Sequence, residues 1–306
     1  PARPTHPANR PGATPRPPCY HLAMPQSEVT PVLCPECGGS GWVLAPDGGA
    51  GRARACSCRR QQINSRLIEA AGIPERYAHC KVASFVTSSP DAGERDQLVR
   101  ARAAAQLYVD NFVKEGGGYR DSGLLFVGPS GAGKTHLAVG VLKELITRYG
   151  VRGRFVDFNS LLYQIQATFD PGSPESKRQI LDPLTESDIV VLDELGAQQP
   201  TPWVRDTLYL IINQRYMRRR PTLFTSNYYL EAPQAALAPG RPRPRPENLD
   251  RGRDAEPPPP LDTMKLLTAR IPAPLVSRLY EMAQPVELTA VADFRREHQH
   301  KARVSR

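Results

Sequence analysis

Between Leu124 and Leu137 the chain reads LLFVGPSGAGKTHL, and this stretch restricts the fold more tightly than any other. An apolar run ends at Val127, Gly128 to Thr135 fits G-x-x-x-x-G-K-[ST], and a helical pattern continues from His136 to Tyr149. Strand, glycine loop and helix in direct succession call for a buried strand whose carboxyl end feeds a helix amino terminus. Gly128, Gly131 and Gly133 let the backbone aim successive N–H groups inward at phosphate oxygens. The loop Gly128, Pro129, Ser130, Gly131, Ala132, Gly133, Lys134 and Thr135 is therefore a candidate triphosphate cradle. Lys134 would reach the β- and γ-phosphates, and the Thr135 hydroxyl would ligate Mg²⁺.

The surrounding pattern supports an α/β parallel sheet flanked by helices. From Phe85 onward short apolar segments alternate with helical ones. Strands are expected at Leu124–Val127, Arg154–Phe158, Ile189–Asp193, Thr222–Thr225 and Val286–Leu288. A helix is expected over Arg59–Ala71, stopped by Gly72 and Pro74, and another over Leu98–Val113. Residues 1–30 are rich in Pro and Arg and are expected to be a disordered tail. A cysteine module follows over 31–80, then the main domain over 81–306. Residues 231–262, with RPRPRPENLDRGRDAEPPPP, are too Pro-rich for helix or strand and are expected to be a disordered insertion.

The 306 residues carry a net charge of +9, which suits an anionic partner, nucleic acid first. Part of that excess lies in the Arg/Pro segments, where it would simply be solvated. No run of about 18 apolar residues occurs, so no membrane span is expected. The amino-terminal stretch lacks an apolar signal core, and a cytoplasmic location is expected. In a reducing compartment the six cysteines read as metal ligands before disulfides.

Ile189-Val190-Val191-Leu192-Asp193-Glu194 is an apolar strand ending in two carboxylates, about sixty residues after the glycine loop. Asp193 would hold Mg²⁺ and Glu194 would polarise an attacking water. Asn227, closing TLFTSN, is either a water-orienting residue or a turn former. Cys34-Pro35-Glu36-Cys37 forms a knuckle, and Cys56-Ser57-Cys58 follows with eighteen residues between the pairs. Four thiolates suit a closed tetrahedral Zn²⁺ site, with an Fe–S cluster as the rival occupant. Cys19 and Cys80 fall outside this spacing, and His79 is an alternative ligand.

GPSGAGKTHLA, VVLDELGAQQPTPWVRDTLYLIINQRYMRRRPTLFTSN and RIPAPLVSRLYEM with ADFRR resemble, in order, the DnaC/DnaI-type bacterial helicase loaders. These are AAA+ ATPases related to the IstB-type ATPases that assist transposases. AGIPERY, upstream, resembles the lead-in to that family's ATPase domain. The resemblance implies a P-loop AAA+ fold with a reduced carboxyl-terminal lid, ATP hydrolysis, and self-association through a shared ATP site. It implies that Arg278 is an arginine finger, with Arg270 its rival, and that Arg295 contacts phosphate in cis. It further implies a zinc module that docks on a hexameric replicative helicase. Arg59 and Arg60 leave DNA open as that module's partner. Single-stranded DNA would be contacted by the 159–187 stretch, with Lys177 and Arg178 as basic candidates. A transposition helper and a non-hydrolysing nucleotide-dependent adaptor are the competing expectations.

Overall fold

The computed structural model describes residues 34–44, 53–114, 117–170, 172, 176–199, 201–230, 266–289, 291 and 293–294. The expected tail at 1–30, Cys19, the insertion at 231–262 and Arg295 lie outside the described residues. The chain divides into two compact units, one ending at Cys56 and one starting at Ser57.

In the first unit a turn is closed by the Gly38 N–H donating to the Cys34 carbonyl at 2.8 Å. Strand β1 (Trp42–Leu44) then pairs antiparallel with β2 (Ala53–Ala55), Trp42 opposite Ala55. The burial here is slight: Leu44 is 76% exposed. So small an apolar surface cannot hold a hairpin by itself, which is the setting in which a metal contributes folding energy.

The second unit begins with α1 (Ser57–Ala70). This helix packs against the main domain, Asn64 Nδ2 donating to the Thr147 carbonyl at 3.0 Å. It thus falls with the larger unit, whereas the sequence places the division near residue 80. Helix α2 (Ala92–Asp110) starts six residues before the expected Leu98. Its first turn is held by Asp91, whose side chain accepts from the Glu94 N–H at 2.7 Å. The polar residues between Asp91 and Leu98 lack an apolar stripe, so only the cap marks this start.

A parallel sheet follows, in the order β4 (Gly153–Asp157), β5 (Ile189–Asp193), β6 (Thr222–Ser226), β3 (Gly123–Val127), β7 (Ala283–Glu287). All four pairings are parallel. The three inner strands are buried at every position, as strands covered on both faces in a parallel sheet must be, and the polar Asp193, Thr225 and Ser226 sit at the carboxyl ends of β5 and β6. Alternation splits them between two cores. Leu124, Phe126, Val191 and Leu223 join α2 and α3 (Lys134–Tyr149) on one face. On the other, Leu125, Val127, Val190, Leu192 and Phe224 pack with α4 (Phe158–Ala167), α5 (Lys177–Glu186), α6 (Pro202–Met217) and α7 (Ala273–Met282). Strand β7 begins three residues before the expected Val286 and takes in Pro285. An edge strand tolerates a proline, and among the described residues β7 pairs only with β3.

Arg215 on α6 is 1% exposed and ties this half together. Its guanidinium donates to Thr222 Oγ1 (2.8 Å) and to the carbonyls of Leu184 (2.6 Å), Ser187 (3.1 Å) and Pro221 (2.7 Å). Burial lowers its pKa to about 9, so it remains charged at neutral pH. Five donors in a fixed fork explain why arginine serves here and lysine would not.

Candidate nucleotide site

The P-loop strand β3 lies between β6 and β7, so the loop after it emerges beside the carboxyl ends of β6 and, one strand further, β5. Ligands of open α/β sheets bind at this end. Gly133, in a left-handed conformation at φ 86°, caps α3. Gly131 is required by space as well as by its φ of 84°. A Cβ there would fall 1.9 Å from Asp293 Oδ1, whose chain segment crosses the loop. Thus Asp293, which the sequence gives no reason to select, belongs to the wall of the site.

Three of the expected elements converge. Lys134 Nζ donates to the Gly128 carbonyl (3.0 Å), the Pro129 carbonyl (2.7 Å) and Asn227 Oδ1 (2.7 Å). Thr135 Oγ1 donates to Asp193 Oδ1 at 2.9 Å, joining the helix amino terminus to the end of β5. Thr225 Oγ1 donates to the same carboxylate oxygen at 2.6 Å and accepts the Glu194 N–H at 3.0 Å. Burial, first of all, raises the Asp193 pKa; the two threonine hydroxyls pull it back down, and the neighbouring Glu194 charge adds to the rise. A buried carboxylate beside a threonine hydroxyl is a hard oxygen pair of the kind Mg²⁺ takes beside phosphate.

Glu194 has φ 60°, rare for a residue with a side chain. Asn159 at the start of α4 donates from Nδ2 to Glu194 Oε2 at 3.2 Å. The backbone bond to Thr225 and this amide anchor the second carboxylate. Backbone strain outside glycine commonly marks a functional site. Tyr77, from AGIPERY, brings its hydroxyl to Thr135; burial, then the Asp193 charge, raises its pKa. Thr225, Asn159 and Tyr77 come from three distant segments, so no local pattern could have assembled them.

The arginines separate. Arg270 stacks on Tyr228 at 4.8 Å, directly beside Asn227. Arg278 contacts α6 and its own helix instead: Nη2 donates to the Tyr209 hydroxyl (3.3 Å), Nη1 to the Pro274 carbonyl (3.2 Å), and the guanidinium lies 5.1 Å and 5.6 Å from the Tyr209 and Tyr216 rings. Lys177 and Arg178 lie on α5 in a cleft of about 620 Å³ that also meets Arg218, which caps the carboxyl end of α6. Arg178 is paired with Asp182 at 3.1 Å.

In the cysteine module the sulfurs of Cys34, Cys37, Cys56 and Cys58 all lie within 4.8 Å of one another. Cys34 and Cys56 are 3.7 Å apart, and the Gly41 N–H donates to Cys37 Sγ at 3.3 Å. Four convergent sulfurs with a backbone N–H on one of them fit Zn²⁺. No helix among the described residues is long and apolar enough to cross a membrane.

A parallel sheet carrying a P-loop, an acidic strand end and a polar residue on the intervening strand defines an AAA+ P-loop domain. Comparison with known proteins gives its type. Residues 99–239 match the family of IstB-like ATP binding proteins. The chain is 26% identical over 184 residues to the uncharacterized protein YqaM of Bacillus subtilis (strain 168), covering 58% of this chain and 56% of that protein. It is 25% identical over 166 residues to the replicative helicase loader DnaC of Escherichia coli (strain K12), covering 54% of this chain and 62% of that protein. The matches thus span less than two thirds of either relative. A crystal structure of the DnaC helicase loader aligns with a TM-score of 0.50 and 28% identity, over 70% of this chain and 99% of that one. The domain is an AAA+ domain of the IstB/DnaC type.

Proposed function

We propose that this chain is an ATP-driven loader that binds a hexameric replicative helicase and delivers it onto single-stranded DNA. The observation that carries the reading is the junction of Lys134, Asp193, Glu194 and Asn227, on a domain similar to DnaC. Lys134 and the loop amides would hold the triphosphate, and Thr135 and Asp193 would hold Mg²⁺. When bound, that ion neutralises charge on the transferred phosphoryl group. Glu194 accepts a proton from water, Asn227 orients that water, and Asn159 restrains Glu194 until the site is complete. Arg278, cradled by tyrosines rather than by its own ATP site, suits a finger that reaches a neighbouring subunit. Arg270, beside Asn227 in cis, suits that task less well. Arg295 remains the proposed phosphate contact in cis.

Cys34, Cys37, Cys56 and Cys58 would hold Zn²⁺ in a module that docks on the helicase. Lys177 and Arg178 would meet DNA phosphates. The match to IstB-like proteins favours one second reading, a transposition helper using the same ATP site.

The test is capture of a purified hexameric replicative helicase by the full chain with Mg·ATP, beside ATP turnover. Specific capture, with turnover abolished in Glu194→Gln, is expected. Capture of a transposase and not the helicase reverses the assignment. Undiminished turnover in Glu194→Gln removes Glu194 from its role.

A further inference from the structure

We propose that His79, Cys80 and His136 form a second metal site, a two-imidazole, one-thiolate set suited to Zn²⁺, which pins the linker before the sheet to the P-loop helix. Their ligand atoms all lie within 4.8 Å of one another. Cys80 Sγ and His79 Nε2 are 3.8 Å apart. A tetrahedral zinc with Zn–S of about 2.3 Å and Zn–N of about 2.0–2.1 Å separates two such ligands by about 3.6 Å, so little movement is needed.

The orientation of His136 is the second observation. Its Nε2 lies 2.9 Å from the Lys81 carbonyl oxygen. A carbonyl only accepts, so Nε2 carries the proton and Nδ1 keeps its lone pair. A histidine that ligates a metal commonly gives its other N–H to such a carbonyl, which fixes the ring and raises its basicity. Cys80 is 1% exposed, whereas His79 is exposed and supplies an entry side. Zinc binding would release one proton from the Cys80 thiol. Burial raises the Cys80 thiol pKa and opposes that release, while the Lys143 ammonium nearby favours the thiolate but opposes the cation, and together these set a limit on affinity. Three protein ligands leave a fourth position for water.

The place of the site gives it a consequence. The linker lies directly on α3: Lys143 donates to the Ala78 carbonyl, and a Cβ on Gly140 would fall 2.8 Å from the Val82 nitrogen. Phe85 packs against Gly133, and its ring is 5.7 Å from that of His136. His136 follows Thr135 directly, so a metal here holds the turn that presents Lys134 and Thr135.

The experiment counts zinc in the full chain after saturation with Zn²⁺ and removal of excess, in wild type, His79→Ala, Cys80→Ala and Cys34→Ser/Cys37→Ser. His79→Ala changes an exposed residue, so it reports even if Cys80→Ala misfolds; circular dichroism checks both. The expected result is one equivalent fewer in His79→Ala and in folded Cys80→Ala than in wild type. Substitution with Co²⁺ should likewise lose the absorption of a mixed sulfur–nitrogen site in those variants alone. Equal metal content in wild type and His79→Ala, with loss only in Cys34→Ser/Cys37→Ser, would assign all the metal to the four-cysteine cluster and overturn the proposal.

Discussion

Lys134 Nζ donates to Asn227 Oδ1 across 2.7 Å, joining the P-loop to the end of β6. The bond puts the lysine that would read phosphate in contact with the residue that would orient water. Truncation of Asn227 to Ala should therefore leave nucleotide affinity within a few-fold while lowering kcat by about 10²-fold, the size seen when one preorganised donor is lost. Steady-state hydrolysis with separate measurement of nucleotide binding reads the two effects. A matching rise in KM with kcat unchanged would make Asn227 a binding residue only.

Asp193 offers a trade between stability and function. Burial raises its pKa in the folded chain above the unfolded value. Its contribution to stability is therefore fully present below the unfolded pKa and is lost as pH rises through the folded one. Asp193→Asn keeps an oxygen for Thr135 and Thr225 and removes that loss. The variant should melt higher than wild type at neutral pH without nucleotide, with the difference vanishing towards pH 3, while Mg²⁺-dependent ATP binding fails. Thermal melts across pH 3–8 check the sign; a lower melting temperature at neutral pH would contradict it.

Arg215→Ala should cost about 3–5 kcal/mol, because four acceptors lose their donor and a large buried side chain leaves a cavity. Arg215→Lys should recover less than half, since one ammonium cannot span the same acceptors. Denaturant titration measures both. A loss below about 1 kcal/mol in the alanine variant would show that the buried guanidinium is not structural.

If Arg278 acts on a neighbouring subunit, Arg278→Ala should lower turnover by about 10³-fold or more, with ATP still bound. Mixing Arg278→Ala with Lys134→Ala, each inactive, should restore partial turnover, since one supplies an intact P-loop and the other an intact finger. No recovery on mixing would place Arg278 in a structural role beside Tyr209 and Tyr216.

The residues differ sharply in how legible they were. An inner strand such as Ile189–Asp193 is apolar from Ile189 to Leu192 because both faces are covered, and the P-loop carries its own punctuation. Both could be read locally. The start of α2 at Ala92 rests on a single cap, and the first residues of β7, Ala283 to Pro285, carry no apolar run that marks a strand. Thr225, Asn159 and Asp293 act through partners on other strands and loops, so their roles appear only when the sheet order is known. INQRY was legible as a family string, yet its arginine is the buried guanidinium that ties α6 to the sheet.

The central claim is that nucleotide state drives delivery of a helicase to DNA. Its most direct measure is the amount of hexameric helicase retained on closed circular single-stranded DNA with the full chain and Mg·ATP. Wild-type chain should raise the retained helicase well above the helicase-only level, and Lys134→Ala should not. Equal retention with wild type, with Lys134→Ala and with no chain added would contradict the account.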